Sequence, residues 1–314
     1  MVKSAVVFPG QGSQRPGMAL EFAERYAQSQ QVFECAERTL PFDVADLIHN
    51  EEERLNLTEF TQPCILTAEI AMFEALKAHY GFDPAYFGGH SLGEYAALVA
   101  AGALSLEAAL QLVHLRGQLM QAAVPAGRGA MAALIQEDLA VARLQALANA
   151  QGVDVANDNS PAQVVLSGKA DDVNRVIEAL QPEVENGLRV VPLTVSAPFH
   201  SRHMAPIEEG FCQVLNEHRN AFDAAKAKRV TSNYLARFYS GDLDELLDAL
   251  THQISGTVHW RDNMAALAGV ADTIVEVGPN RPLRGFFKAM GAQIKAVIDV
   301  RSAAKAFGAP QEVA

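Results

Sequence analysis

The chain predicts an α/β fold in two parts. A large domain over residues 1–126 and 196–314 is interrupted by a smaller one over 127–195. Three observations carry this. Short apolar runs alternate with helical patterns on both sides of residue 127. A Gly-x-Ser-x-Gly turn, Gly89-His90-Ser91-Leu92-Gly93, follows one such run and opens a helical stretch, the context of a nucleophile elbow. Between 127 and 195 the order reads β-α-β-β-α-β, the split unit of ferredoxin-like folds.

Taken in order, Ala5 to Phe8 is a short strand of buried type, ending in the loop Pro9-Gly10-Gln11-Gly12-Ser13-Gln14. Helical patterns follow to about Leu40, and Ile65 to Tyr80 is an alanine-rich amphipathic helix. Pro84 to Gly88 leads into the elbow. Glu94 to Ala101 is helical, and Ser105 caps a helix running to about Ala122. Pro125-Ala126-Gly127 breaks the pattern. The insertion then reads as strand Ala130–Ile135, helix Glu137–Ala150, strands Val153–Ala156 and Gln163–Leu166, helix Ala170–Leu180 and strand Leu188–Thr194. Beyond it come a helix from about Asp242 to Ile254 and a strand, Thr273–Val277, stopped by Gly278-Pro279. Ser302 to Ala314 reads as a frayed tail.

Composition narrows the function classes. The formal net charge of -12 argues against nucleic acid as a partner, which needs a basic face. At 49% hydrophobic and 20% charged residues, the chain can bury a sizeable core. Cys35, Cys64 and Cys212 lie far apart without a CxxC, so they read as reduced thiols in a cytoplasmic protein. Val2 to Phe8 is too short for a signal or a membrane span, and the apolar stretch Ala96 to Leu106 is also short and contains Gly102 and Ser105. No membrane partner is expected.

The chemistry centres on Ser91. A serine hydroxyl needs a base to attack an acyl group at neutral pH. His200, in Ser196-Ala197-Pro198-Phe199-His200-Ser201, sits on a loop returning from the insertion to the main domain. Its setting alone does not separate it from a solvated loop histidine. His90 adjoins the serine, but neighbouring side chains diverge at a tight turn. The N–H of Leu92, at a helix N-terminus, would face negative charge developing near Ser91. The Gln11 loop lacks the ending of a P-loop and completes no GxGxxG, so a second oxyanion amide fits it better than a nucleotide. On a wheel for the Ser105–Met120 helix, Arg116 falls roughly 170° from the polar face of Glu107, Gln111, His114 and Gln118. An arginine in an apolar arc needs a partner, because an unpaired buried charge is costly. That partner is either an internal acid or the carboxylate of a ligand, which a guanidinium grips with two parallel hydrogen bonds. His200 and His203 have no third ligand and no HExxH, so no metal is expected, and with no P-loop or GxGxxG completed no other cofactor is expected either. Glu51-Glu52-Glu53 reads as a solvated face.

Together these pieces resemble the malonyl-CoA:acyl carrier protein transacylase family of fatty-acid and polyketide synthesis. The likeness rests on Val7-Phe8-Pro9-Gly10-Gln11-Gly12-Ser13-Gln14, Thr61-Gln62-Pro63, Gly89 to Tyr95, Arg116-Gly117 with Met120, Asn159-Ser160-Pro161 with Gln163-Val164-Val165, and Glu276-Val277-Gly278-Pro279. The resemblance implies an α/β-hydrolase-like large domain with a ferredoxin-like small domain inserted. It implies Ser91 as nucleophile, His200 as base, amides of Gln11 and Leu92 as oxyanion hole, and Arg116 as holder of the malonyl carboxylate. Gln62 would line the substrate site, and His90 would support it. Gln253, in a landmark before Trp260, would orient His200 through its backbone carbonyl. Phe199 matches members that take malonyl, where those taking methylmalonyl tend to carry serine. The partners implied are malonyl-CoA and an acyl carrier protein, the enzyme acting as a monomer.

Two rivals share these residues. A proofreading hydrolase clearing neutral acyl chains from carrier proteins would use Ser91 and His200 but have no use for Arg116. A non-catalytic carrier-binding module would need none of the three. Arg189, Arg202, Arg281, Arg284 and Lys288 are candidates for a basic patch facing an acidic carrier.

Overall fold

The computed structural model describes residues 2–125, 127–195 and 197–311. Its strands are, in chain order, β1 (Ser4–Phe8), β2 (Tyr86–Gly89), β3 (Gly129–Ile135), β4 (Asp154–Ser160), β5 (Gln163–Lys169), β6 (Arg189–Pro192), β7 (Thr231–Ser232), β8 (Arg237–Phe238), β9 (Thr273–Val277) and β10 (Lys295–Val297). Four of them form a parallel sheet in the order β10-β9-β1-β2. β1 is central, and its side chains alternate between two cores. Val6 and Phe8 join the larger core, while Ala5 and Val7 pack with Trp260, Leu267 and Phe287. A strand buried on both faces has no polar alternation, which is why this segment reads as a continuous apolar run.

The insertion forms a second, antiparallel sheet in the order β4-β5-β3-β6. Numbered within the insertion that order is 2-3-1-4, the ferredoxin-like arrangement expected from the sequence. One face of this sheet, with Leu134, Val164 and Leu166, packs on Leu144, Val173 and Val176 of its own two helices, Val141–Ala150 and Ala170–Ala179. The other face sends Met131, Ala133 and Val165 into the larger core. The small sheet therefore forms one wall of the cleft described below.

Two readings need correction. The long helix starts at Thr58, not Ile65, and runs through Pro63 to Tyr80. Pro63 has no N–H for the carbonyl of Glu59, but His114 Nδ1 lies 3.0 Å from that carbonyl and replaces the lost donor. The tail is also more ordered than expected. Val300–Phe307 is a helix with a capping box between Asp299 and Ser302, and the Phe307 ring lies 4.9 Å from that of Phe82. Glu312 to Ala314 lie outside the described residues, as do Ala126 and Ser196 at the expected boundaries of the insertion. The edge strand β10, three residues long and partly exposed, lies in a stretch to which the sequence pattern assigned no element. Among the described residues no helix is long and apolar enough to cross a membrane.

Candidate active site

The elbow follows β2 and opens the Gly93–Ala100 helix. Its two glycines are steric requirements. A Cβ on Gly89 would stand 1.8 Å from the carbonyl oxygen of Gly93, and one on Gly93 would stand 2.2 Å from that of Phe8. Ser91 is forced to φ 51°, a left-handed conformation that costs a non-glycine residue about 1–3 kcal/mol. Asn233 holds it there. The Ser91 N–H donates to Asn233 Oδ1 at 2.6 Å, and Asn233 Nδ2 donates to the Gly89 carbonyl at 2.7 Å. Nothing local in the sequence pointed to Asn233, because this clamp closes a loop from the other end of the chain.

His200 Nε2 lies 2.7 Å from Ser91 Oγ, and Nδ1 lies 2.8 Å from the carbonyl of Gln253. A carbonyl only accepts, so Nδ1 carries the proton and Nε2 is left free to take one from the serine. Burial pushes the His200 pKa down to about 3, helped by the nearby Arg116 charge. The imidazole is therefore neutral, the form a base needs.

Hydrogen-bond accounting singles out two amides in the cleft. Ser91 N–H is committed to Asn233, Gly93 N–H to the His90 carbonyl and Glu94 N–H to the Ser91 carbonyl. In the facing loop, Gly12 N–H donates to Gln14 and Ser13 N–H to Gly10. Among the described residues, the Leu92 and Gln11 N–H groups have no acceptor within the chain, and both residues line the cleft. Backbone donors left open beside a nucleophile can bind an oxyanion.

Arg116 is buried, with 1% of its surface exposed. It makes no ion pair among the described residues. Nη1 donates to Gln62 Oε1 at 2.9 Å, and Nη2 donates to Gln253 Oε1 at 2.9 Å and to Ser91 Oγ at 3.2 Å. The Tyr95 ring lies 5.7 Å from its guanidinium carbon. Burial lowers its pKa, with Tyr95 and Glu94 opposing. Of the two partners the sequence left open, the internal acid is thus not in direct contact, and the guanidinium reaches the serine hydroxyl itself. Gln253 serves twice, through its carbonyl to His200 and through its side chain to Arg116. His90 faces the same cleft, with Nε2 2.7 Å from Asn159 Oδ1, and its pKa is lowered by burial. The cleft measures about 800 Å³. Phe199, Met120, Met131, Leu193 and Val195 supply its apolar lining.

The basic patch needs one correction. Arg202 is bound to Asp154 through both Nε and Nη2, the latter at 2.6 Å, so it is not a free cation. Among the described residues no cluster of His, Cys, Asp or Glu is arranged to hold a metal ion.

Residues 5–293 match the acyl transferase domain family. Among curated relatives, a malonyl CoA-acyl carrier protein transacylase from Bacillus subtilis is 39% identical over 95% of this chain and 93% of its own length. One from Escherichia coli K12 is 37% identical over 92% and 93%. Among solved structures, the malonyl-CoA:acyl carrier protein transacylase of Xanthomonas oryzae superposes with a TM-score of 0.89 at 37% identity, covering 99% of each chain. A malonyl-transacylase solved in complex with its type II polyketide acyl carrier protein superposes with a TM-score of 0.88 at 33% identity, over 97% of this chain and 99% of that one. With the serine, imidazole and guanidinium converging in one cleft and these likenesses spanning almost its whole length, the chain belongs to the malonyl-CoA:acyl carrier protein transacylase family of acyl transferase domains.

Proposed function

We propose that this protein moves a malonyl group from coenzyme A to the phosphopantetheine thiol of an acyl carrier protein, for fatty-acid or polyketide synthesis. The observation that carries the reading is Arg116, a buried cation beside the serine whose hydrogen-bond partners are all neutral. His200 Nε2 takes the proton of Ser91 as Oγ attacks the malonyl thioester carbonyl. The oxyanion forms within reach of the Leu92 and Gln11 amides. It collapses as the carbon–sulfur bond breaks, and the leaving thiolate takes the proton from His200. The carrier thiol then gives its own proton to His200 and attacks the seryl ester. Ser91 recovers its proton as the malonyl thioester of the carrier departs. Throughout, Arg116 holds the free carboxylate, with Gln62 and Gln253 fixing the guanidinium plane.

Acetyl-CoA would leave the cation without a ligand, so malonyl is favoured. The division at residues 127 and 195, action as a monomer and a cytoplasmic setting belong to the same reading; the free thiols support the last. The test is transfer from malonyl-CoA to holo- and apo-carrier protein, read by carrier mass. The wild type should malonylate only the holo form, and Ser91→Ala should malonylate neither. Release of free malonate at the same rate with and without carrier would instead favour the hydrolase.

A further inference from the structure

Glu94 touches none of the reacting atoms, yet Asn233 and Gln253, which hold Ser91, His200 and one side of Arg116, both lead back to it. It is fully buried. Its Oε2 accepts from the backbone N–H of Asn233 at 3.1 Å and from Gln253 Nε2 at 2.7 Å. Its Oε1 accepts from the Tyr239 hydroxyl. One oxygen therefore gathers both clamps of the site: Asn233, which holds the Ser91 turn, and Gln253, which holds His200 and Arg116.

The chemistry of Gln253 makes the dependence directional. Its Nε2 has two hydrogens, one on Glu94 and one on the Ser91 carbonyl at 3.0 Å. The Ser91 carbonyl has no donor, and the Glu94 oxygen facing Nε2 already accepts from the Asn233 N–H, so a carboxyl proton would sit on the oxygen facing Tyr239 and the amide cannot turn over. Its Oε1 must then face Arg116 Nη2. An amide free to turn would set its own donors against the guanidinium.

We infer that Glu94 is a positioning residue for malonyl transfer, acting by the placement of its acceptor oxygen, which locks the Gln253 amide so that Arg116 and His200 are held in register. The inference rests on the malonyl-transfer reading. It predicts opposite outcomes for two conservative variants. Glu94→Gln loses the charge but keeps the geometry: its amide oxygen can accept from Asn233 and Gln253, while its NH2 donates to the Tyr239 oxygen. Glu94→Asp keeps the charge but withdraws the acceptor by one methylene.

Acylation of Ser91 by malonyl-CoA and by acetyl-CoA is to be measured by rapid quench for each variant, alongside thermal melts. Glu94→Gln should keep the malonyl-to-acetyl ratio of kcat/KM within about threefold of wild type, and Glu94→Asp should lower it by about tenfold or more. The reverse pattern would make Glu94 a counter-charge and overturn the inference. So would an equal loss for both substrates in Glu94→Asp, which is what a merely structural residue gives. A wild-type enzyme that takes no malonyl sinks the transfer reading and the inference with it; the other failures sink the inference alone.

Discussion

Replacing Arg116 with methionine removes the cation while keeping an unbranched side chain of similar reach. In the free enzyme three of its N–H groups are on Gln62, Gln253 and Ser91. Acylation turns Ser91 Oγ into an ester oxygen, a weak acceptor, so that donor is released toward the malonyl carboxylate. Truncating one partner of a buried, hydrogen-bonded charge pair costs about 2–5 kcal/mol. At about 1.4 kcal/mol per factor of ten, kcat/KM for malonyl-CoA should fall by roughly thirtyfold to several-thousandfold. Acetyl-CoA brings no carboxylate, and in the variant it meets an apolar wall instead of a cation lacking a ligand, so its kcat/KM should hold or rise. Rapid-quench acylation with intact-mass detection, run with each thioester, reads both numbers. An unchanged malonyl-to-acetyl ratio in Arg116→Met would refute the anchoring argument.

His200 must be neutral to accept a proton, and its pKa is held at about 3 by burial and then by Arg116. Acylation should therefore stay flat from neutral pH into acid, and Arg116→Met, by removing a like charge, should move the acid limb to higher pH with acetyl-CoA; an unmoved limb contradicts this. Glu69 is fully buried with no hydrogen-bond partner among the described residues, and burial together with Glu276 raises its pKa well above 4.5. The folded state thus keeps a proton that the unfolded chain releases, so its contribution is present below the unfolded pKa and lost as pH rises. Glu69→Gln should flatten that decline and melt higher than wild type at pH 8; a parallel decline would count against it. Phe199 lines the cleft beside the serine, and Phe199→Ser should narrow the preference for malonyl- over methylmalonyl-CoA by up to the 1–3 kcal/mol that one methyl is worth, roughly fivefold to 150-fold, in a competition assay.

Much of this site is legible in the chain because its key residues sit in local frames with strong rules. The Gly89–Gly93 spacing announces a turn that no Cβ would allow, and the helical wheel exposes Arg116 as a charge on the wrong face. The β-α-β-β-α-β order likewise fixes the small sheet. What the sequence hides are contacts made at long range by ordinary residues. Asn233 lies in a short strand-and-turn segment with no periodic signal, yet it closes on the elbow. Glu94 sits inside the serine motif, but its role depends on Tyr239, Gln253 and Asn233 arriving from elsewhere. The helix start at Thr58 was hidden for the same reason: the donor that lets Pro63 sit inside it belongs to His114 on another helix. The ordered tail depends on a pocket beside Tyr80 and Phe82 that only the folded chain provides.

The chemistry runs as a covalent relay through one hydroxyl. Its most direct test is a single-turnover experiment in which enzyme and malonyl-CoA are mixed without carrier protein, quenched and mapped by peptide mass. Holo-carrier is then added to the acylated enzyme after coenzyme A has been removed. One malonyl group should appear on Ser91 alone and pass to the carrier thiol. No adduct, an adduct elsewhere, or an ester that the carrier cannot discharge would contradict the account.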